Sequence, residues 1–89
     1  MHVRKYYLRP GMNEVELPVG AKFLSAFEQR PEVNVEFCAW YLVEDVEETE
    51  LRNIVALATG QDFHSTAAPK FLATVLCHGG RLVFHLFEI

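Results

Sequence analysis

The chain has 89 residues, of which 51% are hydrophobic and 12% aromatic. That is enough for one folded core, too little for a second, and too apolar for a disordered segment. The net charge of −4, with eight basic residues scattered along the chain, argues against nucleic-acid binding, which rests on clustered Lys and Arg.

The chain is expected to be one domain over residues 1–89. His2 to Leu8 alternates loosely, with Val3, Lys5 and Tyr7 on one side and Arg4, Tyr6 and Leu8 on the other. Its aromatic enrichment favours a strand. Arg9-Pro10-Gly11 is a turn signal, since proline presets φ and glycine accepts positive φ. Asn13 to Leu17 alternates strictly, with Val15 and Leu17 inward and Glu14 and Glu16 outward. Ala21 to Gln29 reads as a third strand, with Phe23, Ser25 and Phe27 sharing a face. Val33 to Val43 is the longest alternating run, placing Val35, Phe37, Ala39, Tyr41 and Val43 together.

Glu44 to Glu50 holds five acidic residues in seven. It lacks the DxDxDG spacing and central glycine of Ca²⁺ loops, so it reads as a solvated connection. Leu51 to Thr59 resumes the strand pattern. Gly60 to Pro69 is the one long connection, and a loop of ten small or polar residues in a short domain usually has a reason to exist. Lys70 to His78 and Arg81 to Ile89 then flank Gly79-Gly80, a signal for a tight hairpin with positive φ at both glycines. The last strand is apolar on both faces, which suits a strand interior to its sheet.

These elements give an all-β class: a compact antiparallel β-sandwich or partly open small barrel of six to seven strands. The expected core includes Phe23, Phe37, Val55, Val75, Phe84 and Leu86. No apolar run approaches the roughly 18–20 residues of a membrane helix. No charged start followed by an apolar run marks a signal peptide, so a cytoplasmic location is expected. Cys38 and Cys77 are then read as small buried hydrophobes.

Three groups of residues offer chemistry. His78 and His85 flank the hairpin turn, but no zinc-ligand spacing accompanies them, and no metal or cofactor is expected. Asp62, His64, Ser65 and Thr66 contain the ingredients of a hydrolytic triad. Neighbours on an extended loop point apart, however, and no GxSxG elbow is present. Gln61, His64, Ser65 and Thr66 are instead expected to supply hydrogen bonds to a ligand or partner. Trp40 and Tyr41 are candidate interface anchors, although alternation should bury one of them.

The block Glu14-Val15-Glu16-Leu17-Pro18-Val19-Gly20-Ala21-Lys22-Phe23-Leu24-Ser25 resembles the E-L-P-x-G-A-K-x-L-S block of a family of short phage and prophage-encoded proteins. Gly79-Gly80-Arg81-Leu82-Val83-Phe84-His85-Leu86-Phe87-Glu88 is similar to that family's closing G-G-x-L-V-F-H-x-F-E block. The Lys5-Tyr6-Tyr7-Leu8 opening and Ala39-Trp40-Tyr41-Leu42-Val43 extend the similarity over nearly the whole chain. The family is functionally uncharacterised, so the resemblance implies a phage-related origin and a strand-rich fold, and it transfers no site residue.

The functional expectation is a small non-enzymatic binding protein of the host-cell cytoplasm, a phage accessory factor that engages a host or phage protein. One alternative is an oligomeric binder that sequesters a nucleotide-like ligand, with His64, Ser65, Thr66 and Arg81 in one pocket. Another is a structural component of a virion or its assembly. A homo-oligomer is compatible with each, and neither nucleic acid nor membrane is expected as a partner.

Overall fold

The computed structural model describes residues 1–29, 35–65 and 68–89. Seven strands and no helix occur among them: β1 (His2–Leu8), β2 (Gly11–Pro18), β3 (Lys22–Gln29), β4 (Glu36–Val43), β5 (Thr49–Ala58), β6 (Lys70–Cys77) and β7 (Leu82–Glu88). They form two antiparallel sheets, β1-β4-β3 and β2-β5-β7-β6. The all-β expectation holds, in the sandwich form. The backbone measures 39 × 32 × 16 Å, so the molecule has two broad sides and thin edges. Its surface of 5820 Å² compares with roughly 5,300 Å² for a monomer of this mass. A flat shape accounts for such an excess.

Alternation dictates the core. On β4, Phe37, Ala39, Tyr41 and Val43 point between the sheets and are buried. On β5 and β7, Ile54, Ala56, Phe84 and Leu86 answer them. Phe37 meets Phe84 edge-to-face across the two layers, with centroids 5.0 Å apart. Each fully buried aliphatic or aromatic side chain here contributes about 1.5–3 kcal/mol relative to exposure. β7 lies inside its sheet between β5 and β6, as its two apolar faces require. Cys38 and Cys77 are free and buried.

Three local expectations are corrected. The Gly-Gly hairpin is a four-residue connection, because Cys77 pairs with Leu82. His78, Gly79 and Gly80 all take positive φ, and the two glycines supply that conformation without Cβ cost. Phe23 and Phe27 do not share a face. A bulge between Phe23 and Ser25 shifts the register, so Phe23 packs on the core while Phe27 turns outward. Val55 is buried but stands on the outer side of its sheet, paired with Met12 and Phe87. It lines a cavity beside the loop after β5 rather than joining the inter-sheet cluster. The start of the Val33–Val43 run, residues 33 and 34, lies outside the described residues.

At one end of the core sits a charged lock. Arg52 donates from Nε and Nη2 to the two carboxylate oxygens of Glu88, at 3.1 and 2.8 Å, and from Nη1 to the Ala21 carbonyl at 2.7 Å. Its guanidinium lies 5.7 Å from the Tyr41 ring centroid. The carboxylate and carbonyl satisfy a charge that burial would otherwise penalise. The pair joins β5 to β7, and through Ala21 it ties the sheets together.

Candidate functional site

The outer side of the β1-β4-β3 sheet follows from register alone. Residues paired across an antiparallel ladder share a face, so three rows appear: Tyr7-Cys38-Phe27, Lys5-Trp40-Ser25 and Val3-Leu42-Lys22. Tyr7 and Phe27 are each 64% exposed, flanking the central strand. Phe27 meets Trp40 edge-to-face at 6.0 Å. The Lys5 ammonium stands 5.2 Å over the Tyr7 ring. Leu24, the extra residue at the bulge, and Val3 add exposed aliphatic surface. These side chains form an exposed apolar patch on this face.

Cys38 lies in the middle of this face yet is inaccessible. Its thiol donates to Gln29 Oε1 at 3.1 Å. Burial raises its pKa above the ordinary value. A thiol held neutral is a poor nucleophile, so the face offers contact rather than covalent chemistry. The three central rows carry two lysines and no carboxylate.

The other broad side, outside β2-β5-β7-β6, is treated differently by the fold. Gly60 takes positive φ where the chain leaves β5. The Gln61 amide N–H donates to the Ala58 carbonyl while its Oε1 accepts from the Ala58 N–H, at 3.0 and 3.1 Å. The following loop crosses the sheet above Val55, Leu57 and Phe87. Beneath it is a cavity of about 390 Å³, lined by those three residues with Gln61, Asp62, Phe63, Ser65 and Pro69. Such a volume suits a small ligand. No cation lines it.

The residues singled out from sequence therefore separate. Gln61 and Ser65 reach the loop cavity. His64 is exposed on the same loop but does not line it, and Thr66 lies outside the described residues. Arg81 is in the β6–β7 turn, about 20 Å along β7 from Phe87 at strand rise. Of the described members of the nucleotide-like pocket, Ser65 lines this cavity and His64 and Arg81 do not. Trp40 is on the outer face of its sheet. Tyr41 is in the core with no exposed surface, stacked edge-to-face on Tyr6 and Phe23. It cannot meet a partner directly.

Tyr7, Phe27, Val3 and Leu24 were not singled out as contact residues. The signal was present for β1, where Tyr7 shares parity with Lys5 and Val3. For β3 the bulge hid it. His85, weighed for metal binding, has both ring nitrogens occupied, by Thr59 Oγ1 at 2.9 Å and Thr74 Oγ1 at 3.0 Å. Among the described residues no three His, Cys, Asp or Glu side chains cluster in a way that could hold a metal ion, and no helix is long and apolar enough to cross a membrane.

The chain belongs to a family described as a domain of unknown function, DUF7352, whose model matches residues 1–89. No curated protein and no solved structure matches it.

Proposed function

We propose that the protein is a non-enzymatic protein-binding module, a phage accessory factor that engages a host or phage protein through the outer face of β1-β4-β3. The observation that carries this reading is the uncovered aromatic patch of Tyr7, Phe27 and Trp40. Large exposed rings around a half-buried tryptophan have the composition of a binding hot spot. Water exposure of that much apolar surface is a cost that a partner removes.

Charge favours a partner other than a second copy. The patch carries Lys5 and Lys22 on an acidic chain of net charge −4, so a surface that sets carboxylates around apolar anchors complements it. A broad side of 39 × 32 Å has room for the roughly 800 Å² per partner of an ordinary interface. The phage connection rests on the similarity of the Glu14–Ser25 and Gly79–Glu88 blocks. The cytoplasm of the host cell is the compartment that suits two free buried thiols.

The test is co-purification from expressing cells, wild type against the Tyr7→Ala/Phe27→Ala double variant, followed by titration of the recovered protein. Trp40 is the single tryptophan, so its emission reports the face. A partner that blue-shifts Trp40 emission, weakens with salt and is lost in the variant supports the reading. A partner retained equally by both proteins contradicts it. A dimer seen by native mass spectrometry, and lost in the same variant, would replace the hetero-partner with a second copy.

A further inference from the structure

We infer that the cavity beside the loop after β5 binds a small organic cation, an ammonium group carried on an aromatic or similarly apolar body. The floor of the cavity follows from register. Val55 stands opposite Phe87 on the β5–β7 ladder, and Leu57, two residues on, shares their side. These residues alternate with Ile54, Ala56 and Leu86 of the inter-sheet cluster, so all three point outward. Phe71 packs on Phe87 with ring centroids 5.6 Å apart and limits its movement. With Phe63 and Pro69 from the loop, the floor borders a volume of about 390 Å³, room for one ring with a short arm.

Asp62 is the single charged residue that lines this space. It makes no ion pair among the described residues. Lys70 follows Pro69 in sequence, but it stands opposite Glu88 on the β6–β7 ladder. That is one residue out of step with Phe87, so Lys70 belongs to the other side of the sheet. The backbone leading into Asp62 is fixed. Gly60 takes positive φ, and both the amide and the side chain of Gln61 bond to Ala58. A carboxylate carried on such an anchored turn requires little ordering to receive a ligand.

The sign of that charge decides the class of ligand. A phosphate or carboxylate would meet Asp62 with no cation on the lining to offset the repulsion. A neutral apolar body would strip water from the carboxylate and offer it no partner. An ammonium forms a charge-assisted hydrogen bond with the carboxylate, and it is attracted to aromatic rings such as Phe63 and Phe87. A bare divalent ion requires several oxygen ligands, and no such cluster occurs among the described residues. The apolar floor then takes the body that carries the ammonium. This site lies on the opposite broad side from Trp40, and it does not depend on the protein-binding reading.

The experiment is an NMR titration of the ¹⁵N-labelled protein at neutral pH with phenethylamine, 2-phenylethanol and phenylacetate, which share a ring and differ in charge. The expected result is saturable movement of the Leu57, Asp62, Phe63 and Phe87 amides with the amine, while the Lys5 and Trp40 amides stay still. The alcohol should bind more weakly and phenylacetate not at all. Asp62→Asn alters an exposed position and should keep its fold. It should bind the amine about fivefold more weakly, at the level of the alcohol. Signals unmoved by the amine would overturn the proposal. So would equal binding of the amine and the alcohol, a preference for phenylacetate, or unchanged amine affinity in the variant.

Discussion

The two broad sides of this sandwich start from the same problem and solve it differently. Each sheet has an apolar outer face, with Val55, Leu57, Phe71 and Phe87 on one and Val3, Tyr7, Phe27, Trp40 and Leu42 on the other. The β2-β5-β7-β6 face is covered at its centre by the chain itself, because the loop after β5 lays Phe63 and Pro69 over it. Val55, which lines the cavity beside that loop, is only 1% exposed. The β1-β4-β3 face has no such cover among the described residues, and its rings shield only each other. Among the described residues, one face has the Gly60–Ser65 segment and Pro69 beside it and the other has none, which leaves the second available to something outside the molecule.

That contrast can be broken experimentally, beginning with the interior that holds both faces in place. Arg52→Ala should cost about 3 kcal/mol in urea unfolding, because it strands the partly buried Glu88 carboxylate. Both faces should lose definition together. A loss below about 1 kcal/mol would mean that the lock is not structural.

Next come matched truncations on the two faces. Phe87→Ala removes a ring that packs at 5.6 Å on Phe71 beneath the loop, and should cost about 2 kcal/mol of stability. Phe27→Ala on the bare face should cost less than about 1 kcal/mol, since little of its surface is buried. In binding the order reverses. Tyr7→Ala/Phe27→Ala should weaken the partner by about 30-fold or more, while Phe87→Ala should leave affinity nearly unchanged. Equal stability losses for the two phenylalanines would remove the distinction between covered and bare faces.

Alkaline pH should act on the buried acids, Cys77 and Tyr41 in the core and Cys38 beneath the bare face. Burial pushes the Cys77 thiol up to about 11, with the Glu28 charge adding to the effect. Burial likewise pushes the Tyr41 phenol up to about 12, against the opposing pull of Arg52. In both cases the unfolded chain loses its proton first, so unfolding becomes easier as pH climbs through this range. Melting temperature should fall from about pH 9 upward for Cys77, with Tyr41 adding its share above about pH 10. A Cys77→Ser variant that keeps the full decline would contradict the thiol's part in it.

The smallest effect should come from Tyr41→Phe. The Tyr41 and Tyr6 hydroxyls are both buried without a hydrogen-bond partner among the described residues. Removing an unsatisfied buried hydroxyl relieves desolvation cost while the ring and its contacts stay. The variant should be unchanged or up to about 1 kcal/mol more stable. A clear loss of stability would show that the hydroxyl has a partner after all.

Much of the fold was legible because alternation is local. Phe37, Ala39, Tyr41 and Val43 mark one face of β4 by parity alone, and β7 declares itself interior by being apolar on both sides. What failed was whatever depends on a shift or on distant chain. The bulge at Leu24 reverses the parity of β3, so Phe27 reads as a partner of Phe23 when it is a neighbour of Trp40. Val55 reads as inter-sheet core because burial by a loop leaves the same apolar signature as burial by a sheet. Asn13 reads as an ordinary strand residue, yet its side chain accepts from the Arg9 N–H and donates to the Arg9, Gly11 and Ile54 carbonyls, stitching the first turn to β5.

The candidate sites were harder still. Trp40 was visible as an anchor, but its companions come from two other strands and needed the register to be found.

The most direct test of the bare-face account is site-resolved photo-crosslinking in expressing cells. A photoreactive phenylalanine analogue would replace Phe27 on one broad side or Leu76 on the other, both exposed positions. The account predicts a discrete covalent adduct with another protein from position 27, none from position 76, and loss of the adduct when Trp40→Ala is added. Adducts of equal yield from both positions, or from position 76 alone, would contradict it.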